Sequence, residues 1–196
     1  SENLQEKLLL VNHAVSSRSQ LPILLGILIK TEKKTLSVSG TDLEIGIKTE
    51  IPASVEEEGE TIVPAKTFLE LVGTIPAGKI ALETTPGNLT LTGKGIRAIF
   101  QTMKAEEFPK LYETRGEEAM TMSGDVIDKF FPKVVFAASQ DQTRPALSGV
   151  LIKENIMVAT DGYRLSLKKN PLKKKEKPEE KTSILVPSRF IRELLV

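Results

Sequence analysis

Leu4, Leu8, Val11, Ala14 and Val15 recur at the three- and four-residue spacing of a one-sided helix, which Ser1 or Asn3 can cap and which is expected to end near Ser17. LPILLGILIK (21–30) is apolar on both parities and reads as a buried strand; TLSVSG (35–40) alternates apolar with small polar residues and reads as a second. In DLEIGIKTEI (42–51), Leu43, Ile45, Ile47 and Ile51 alternate with Glu44, Lys48 and Glu50, the pattern of a strand with one buried and one wet face. The acidic VEEEGE that follows is a solvated turn. Pro64 falls in the first turn of a short helix, where its missing N–H costs nothing, and Phe68, Leu71 and Val72 form that helix's buried stripe. KIALET, NLTLTG and IRAIFQTM predict three more strands, joined by Pro-Gly-Asn and Gly-Lys-Gly turns.

The chain turns polar after Phe108-Pro109, so a boundary is placed near Arg115, giving domains over 1–115 and 116–196. A short alternating run, EEAMTM, precedes a third helix that starts at Ser123-Gly124-Asp125 and buries Val126, Ile127, Phe130, Phe131, Val134 and Ala138. Pro132 sits inside it and removes the bond to Asp128, so a kink or a late start is expected. Strands RPALSGVLIK (144–153) and those of NIMVATDGYRL follow, then a Lys-rich, Pro-broken stretch over 168–181 with no apolar pattern, which reads as a surface loop.

The pattern repeats. LPILLGILIK aligns with RPALSGVLIK, Pro22 and Pro145 standing 123 positions apart (145 − 22). Val11, Ala14 and Ser16 match Val134, Ala137 and Ser139 at the same offset, and Ile62-Val63-Pro64 matches Leu185-Val186-Pro187. Thr41-Asp42 matches Thr160-Asp161 at 119 (160 − 41), so the first copy carries a longer turn near Glu32 to Thr35. Such ordered self-similarity means one structural unit used twice. The fold class is therefore α+β, with each helix tied to an antiparallel sheet.

Composition narrows the chemistry. Net charge is +1, against a general basic coat, so any nucleic-acid contact must come from local placement of charge. There is no Cys and His13 is the only His, which leaves thiolate and histidine chemistry without material and implies neither metal nor cofactor. No apolar run approaches the ~18 residues of a membrane span and the start lacks a basic end, so a cytoplasmic protein is expected. The two Thr-Asp pairs admit one enzyme reading, a two-repeat acid–base hydrolase using Asp42 and Asp161, but that chemistry uses Asp-Thr-Gly where this chain has Thr-Asp-Leu and Thr-Asp-Gly, and the plainer role of both carboxylates is to bond backbone N–H groups in a turn between strands. Lys66, Lys129, Lys133, Arg189 and Arg192 fall on or beside the predicted helices while Glu44, Glu50 and Glu56 to Glu58 fall on strands or outer turns, a split that suits a phosphate backbone on the helical side.

GTDLEI, ETIVPAKTFLELV, EEFPKL, FAASQDQTRPALSGVLI and VATDGYRLS, in that order, resemble the bacterial DNA polymerase III beta subunit family, the sliding clamps, over nearly all 196 residues. The resemblance implies a DNA-clamp fold: each domain has two similar helix-plus-antiparallel-sheet halves, helices lining a DNA channel and sheets outside. It implies a non-enzymatic processivity factor that encircles duplex DNA without reading its sequence. Implied partners are the DNA polymerase III catalytic subunit, the clamp loader and other clamp-binding-motif proteins, with homodimer formation when full length. Against the family pattern, the chain is expected to lack a short first strand, about 40 residues of domain two judged from the first copy's continuation past Gly73, and domain three. The resemblance places one wall of a partner-peptide pocket at Leu147, Thr160, Gly162, Tyr163, Arg164 and Leu165, with Tyr163 where the family often has His. Leu147 and Leu165, read as coming from neighbouring strands, would form its floor. DNA contacts are expected at Arg18, Gln140 and Arg144 besides the helical cations, and a ring-closing edge at Lys66, Ile96, Arg97, Ile99 and Phe100. A plain peptide-binding adaptor would share the pocket but not the ring.

Overall fold

The computed structural model describes residues 1–111, 122–141, 143–153, 156–169 and 183–195. The expected boundary near Arg115, most of EEAMTM and most of the Lys-rich stretch lie outside these. The chain divides into two compact units, Ser1–Tyr112 and Glu113–Val196.

In the first unit, helix α1 (Glu2–Asn12) buries Leu4, Leu8 and Val11, as its spacing dictates. The expected end near Ser17 is approached through tighter turns, His13, Ala14 and Val15 donating to carbonyls three residues back. Strands β1 (Gly26–Glu32), β2 (Thr35–Thr41), β3 (Gly46–Pro52) and β4 (Gly59–Pro64) form an antiparallel sheet of order β3-β2-β1-β4. Helix α2 (Ala65–Thr74) follows at once. Strands β5 (Ala81–Thr85), β6 (Asn88–Gly93) and β7 (Ile96–Gln101) make a second sheet, β5-β6-β7. Ile27, Val38, Val63, Phe68, Val72, Leu89 and Leu91 are fully or almost fully buried in one core between the helices and both sheets.

The second unit repeats the first half of this plan. Helices α3 (Gly124–Phe130) and α4 (Pro132–Val135) occupy the place of α1. Strands β8 (Gly149–Lys153), β9 (Ile156–Thr160), β10 (Leu165–Lys169) and β11 (Ser183–Pro187) form a sheet of order β10-β9-β8-β11, and α5 (Ser188–Leu194) follows as α2 does. The register repeats as well, Gly26 opposite Pro64 and Gly149 opposite Pro187. A separate core of Phe131, Val134, Val150, Ile152, Met157 and Ile191 holds this unit.

Three predicted elements need correction. LPILL does not extend: Pro22–Leu25 is a 3₁₀ turn and β1 begins at Gly26, because Pro22 sets the φ of a first helical turn. The repeat does likewise, Leu147 and Ser148 donating to Arg144 O before β8 begins. DLEI is a turn and β3 begins at Gly46, so Leu43 is exposed instead of buried. Pro64 ends β4 and precedes α2, outside the first turn. The expected break at Pro132 is present as the α3/α4 junction, where Phe131 keeps helical dihedrals and Val135 still bonds Phe131 O.

Candidate functional site

Each Thr-Asp pair builds the same turn. Thr41 Oγ1 donates to Ile45 O at 2.8 Å and accepts the Leu43 N–H at 3.1 Å, while Asp42 Oδ1 accepts the N–H groups of Glu44 and Ile45 at 3.0 and 2.9 Å. In the second unit Thr160 Oγ1 donates to Arg164 O at 2.7 Å and accepts the Gly162 N–H at 3.1 Å; Asp161 Oδ1 accepts from Tyr163 and Arg164 at 2.9 and 3.0 Å. Short side-chain oxygens hold the chain while it reverses between strands. The Tyr163 and Arg164 N–H groups hold the Asp161 carboxyl below the ordinary carboxylate range, aided by the Arg164 side chain.

The turn presents its side chains outward, Tyr163 95% exposed and Leu165 64% exposed at the start of edge strand β10. Arg164, itself exposed, lies along the sheet end: Nε donates to Asp161 Oδ2 at 3.0 Å, Nη2 donates to Phe136 O at 2.9 Å, and the guanidinium lies 5.6 Å from the Phe136 ring centre. These residues, with Gln140, Asp141 and Arg144, line an open, mainly polar hollow of about 390 Å³. Two expected sites therefore meet, Tyr163 and Arg164 from the pocket rim and Gln140 and Arg144 from the DNA loop. Within that loop Asp141 accepts the Thr143 hydroxyl and N–H, which lower its carboxyl from the usual value, and the Arg144 guanidinium stands 3.7 Å away.

The two residues expected at the floor are not on neighbouring strands. Leu147 is half-buried in the turn before β8 and Leu165 starts β10, with β9 between those strands, so the two leucines do not come from neighbouring strands. Neither lines the hollow. What the sequence reading missed is an apolar row across the outward face of the sheet, since the register sets Leu167 beside Val158, Val158 beside Leu151 and Leu151 beside Leu185. Leu167 and Leu185 are 53% and 43% exposed. The signal was present: the matching positions of the first unit are Lys48, Ser39, Leu28 and Ile62, so two polar residues became apolar.

Lys66, Lys129, Lys133, Arg189 and Arg192 all stand on helices, exposed except for half-buried Arg189; Arg18 is exposed after α1. Lys133 and Lys168 Nζ lie 5.6 and 5.9 Å from the Phe130 ring centre, so both cations face one aromatic ring. On β7, an edge strand, Arg97 and Ile99 face outward, whereas Ile96 and Phe100 pack on the core, Phe100 meeting Phe68 edge-on at 5.2 Å. The acid–base dyad has no support, because Asp42 and Asp161 each hold their own turn and Asp161 stays ionised at neutral pH. Among the described residues no group of three or more His, Cys, Asp or Glu could hold a metal ion, and no helix is long and apolar enough to cross a membrane.

Residues 1–112 match the family "DNA polymerase III beta subunit, N-terminal domain" and residues 121–195 its "central domain". The beta sliding clamp of Bacillus subtilis is 31% identical over 208 residues, covering 98% of this chain and 54% of that protein. That of Halalkalibacterium halodurans is 30% identical over 201 residues, covering 94% and 53%. Among solved structures, the Bacillus subtilis DNA polymerase sliding clamp has a TM-score of 0.84 at 28% identity over 99% of this chain and 54% of that one. A Pseudomonas aeruginosa sliding clamp bound to griselimycin has a TM-score of 0.81 at 28% identity, covering 99% and 54%. The chain thus spans about half the length of the curated relatives it matches.

Proposed function

The chain belongs to the DNA polymerase III beta subunit family, and from that membership we propose that it works as part of a sliding clamp. The protein encircles duplex DNA and tethers the replicative polymerase, performing no chemistry of its own, and acts in the cytoplasm. The observation that carries the reading is the consecutive match of two different clamp domains along one chain, residues 1–112 and then 121–195. The helical placement of Lys66, Lys129, Lys133, Arg189 and Arg192 supports a DNA-facing helical side, where cations meet phosphates without reading bases. The Thr160–Leu165 turn and the hollow beside it serve as the docking site for clamp-binding segments of the polymerase catalytic subunit, the clamp loader and other partners, and griselimycin binds there as well. The edge of β7, with Arg97 and Ile99 outward, closes the homodimeric ring.

The test is topological. Full-length protein loaded on a nicked circular plasmid by a clamp loader is expected to stay with the circle through gel filtration and to leave once the plasmid is cut. Equal retention on circular and linear DNA would overturn the ring and leave a plain peptide-binding adaptor.

A further inference from the structure

The two units secure their Thr-Asp turns to the neighbouring helix by different chemistry. The offset of 119 sets Arg164 opposite Ile45 (164 − 45), Ser166 opposite Ile47 and Lys168 opposite Thr49. Ile45 is 7% exposed and Ile47 packs against the first core, so unit one holds the turn and its edge strand by apolar burial. Unit two has polar residues at all three positions and holds the same backbone by hydrogen bonds. Arg164 Nη2 donates to Phe136 O at 2.9 Å and Ser166 Oγ donates to Lys133 O at 2.7 Å. Both carbonyls belong to the last turn of α4 and its C-cap, where a helix runs out of its own N–H donors. The same guanidinium is bonded through Nε to Asp161 Oδ2 and stacked on Phe136, so one planar fork joins the turn to the helix end.

We propose that Arg164 is a positioning residue: it fixes the Tyr163–Leu165 segment against the end of α4. The proposal rests on the docking reading given above. The ladder with β9 and the Thr160 and Asp161 bonds shape the turn, but it is the Arg164 and Ser166 bonds that tie it to the end of α4, and Tyr163 and Leu165 lie on either side of Arg164. A lysine keeps the charge but gives its donors from a single nitrogen, without the planar fork that reaches Asp161 through Nε and Phe136 O through Nη2.

Griselimycin is the probe, titrated into full-length wild type, Arg164→Lys, Asp161→Asn and the double variant, with amide exchange followed at Tyr163 and Leu165. Arg164→Lys and Asp161→Asn are each expected to weaken binding by about tenfold, and the double variant to be no weaker than the worse single, as for two ends of one interaction. Exchange at both amides is expected to speed up in every variant. Wild-type affinity in Arg164→Lys, intact binding in Asp161→Asn, or additive losses would overturn the positioning role. Failure of wild type to bind griselimycin would count against the docking reading alone. The exchange rates then decide the positioning role, and amides no faster than wild type would overturn it.

Discussion

Leu43 holds φ at 77°, a left-handed conformation that a branched side chain adopts at a cost of about 1–2 kcal/mol, while Gly162 takes φ 91° at the same place in the second turn without penalty. Leu43 is 63% exposed, so little burial offsets the strain. Leu43→Gly is expected to stabilise the protein by about 1 kcal/mol and Gly162→Ala to destabilise it by a similar amount, both read from urea denaturation midpoints. The strain was invisible in the sequence, because the alternation of Leu43, Ile45 and Ile47 suits a strand as well as it suits a turn running into one. What decided the matter is Asp42, whose carboxylate captures two N–H groups that a strand would have used in its ladder. The Asp161 turn carries a pH dependence. Its carboxyl is held below the unfolded value, so the stability it confers is complete above the unfolded pKa of about 3.9 and is lost as pH falls through the lower folded value. Asp141, lowered first by the Thr143 hydroxyl, acts in the same sense. Thermal unfolding between pH 5 and pH 2 checks this: Asp161→Asn should flatten the acid limb, and an unchanged limb would contradict the assignment.

Among the elements, Gly26 and Gly149 show why the repeat preserves what composition alone would not demand. A Cβ on Gly149 would lie 2.8 Å from Val186 O and 2.9 Å from a Leu185 methyl; one on Gly26 would lie 2.5 Å from Ile62 Cγ2 and 3.2 Å from Val63 O. Each glycine opens a strand at the point where the partner strand passes into a helix. Gly149→Ala is expected to cost about 1–3 kcal/mol, since backbone has to move to admit the methyl; calorimetry on wild type and variant tests it. These positions were legible, because Gly26, Ile29 and Lys30 recur as Gly149, Ile152 and Lys153. The 3₁₀ turn at Pro22–Leu25 was less so: an apolar run records burial but not backbone shape, and proline at its head was the one local clue. The expected neighbouring of the Leu147 and Leu165 strands failed for a related reason. Residue spacing places Leu147 and Leu165 in the same unit, but only sheet order reveals that β9 lies between their strands.

At the scale of the whole molecule the claim most open to refutation is ring closure. Unit one has one core under two sheets, and among the described residues its outermost strand β7 pairs through its ladder with β6 alone, with Ile99 65% exposed. Monomeric proteins protect such an edge with charge, and here only Arg97 does so on the outward side. A strand edge that carries an exposed isoleucine fits a partner strand, in keeping with the proposed homodimer, whereas Ile96 and Phe100 serve the core and are poor probes of assembly. Ile99→Glu in the full-length protein places a carboxylate in the proposed interface, while in the free subunit the side chain points into water. The dimer should therefore weaken by about 2 kcal/mol or more, a roughly thirtyfold rise in the dissociation constant, with the subunit's melting behaviour nearly unchanged. Sedimentation equilibrium over a range of concentrations measures this directly. If Ile99→Glu dimerises as wild type does, β7 is a solvent-facing edge and the ring, if it closes, closes elsewhere.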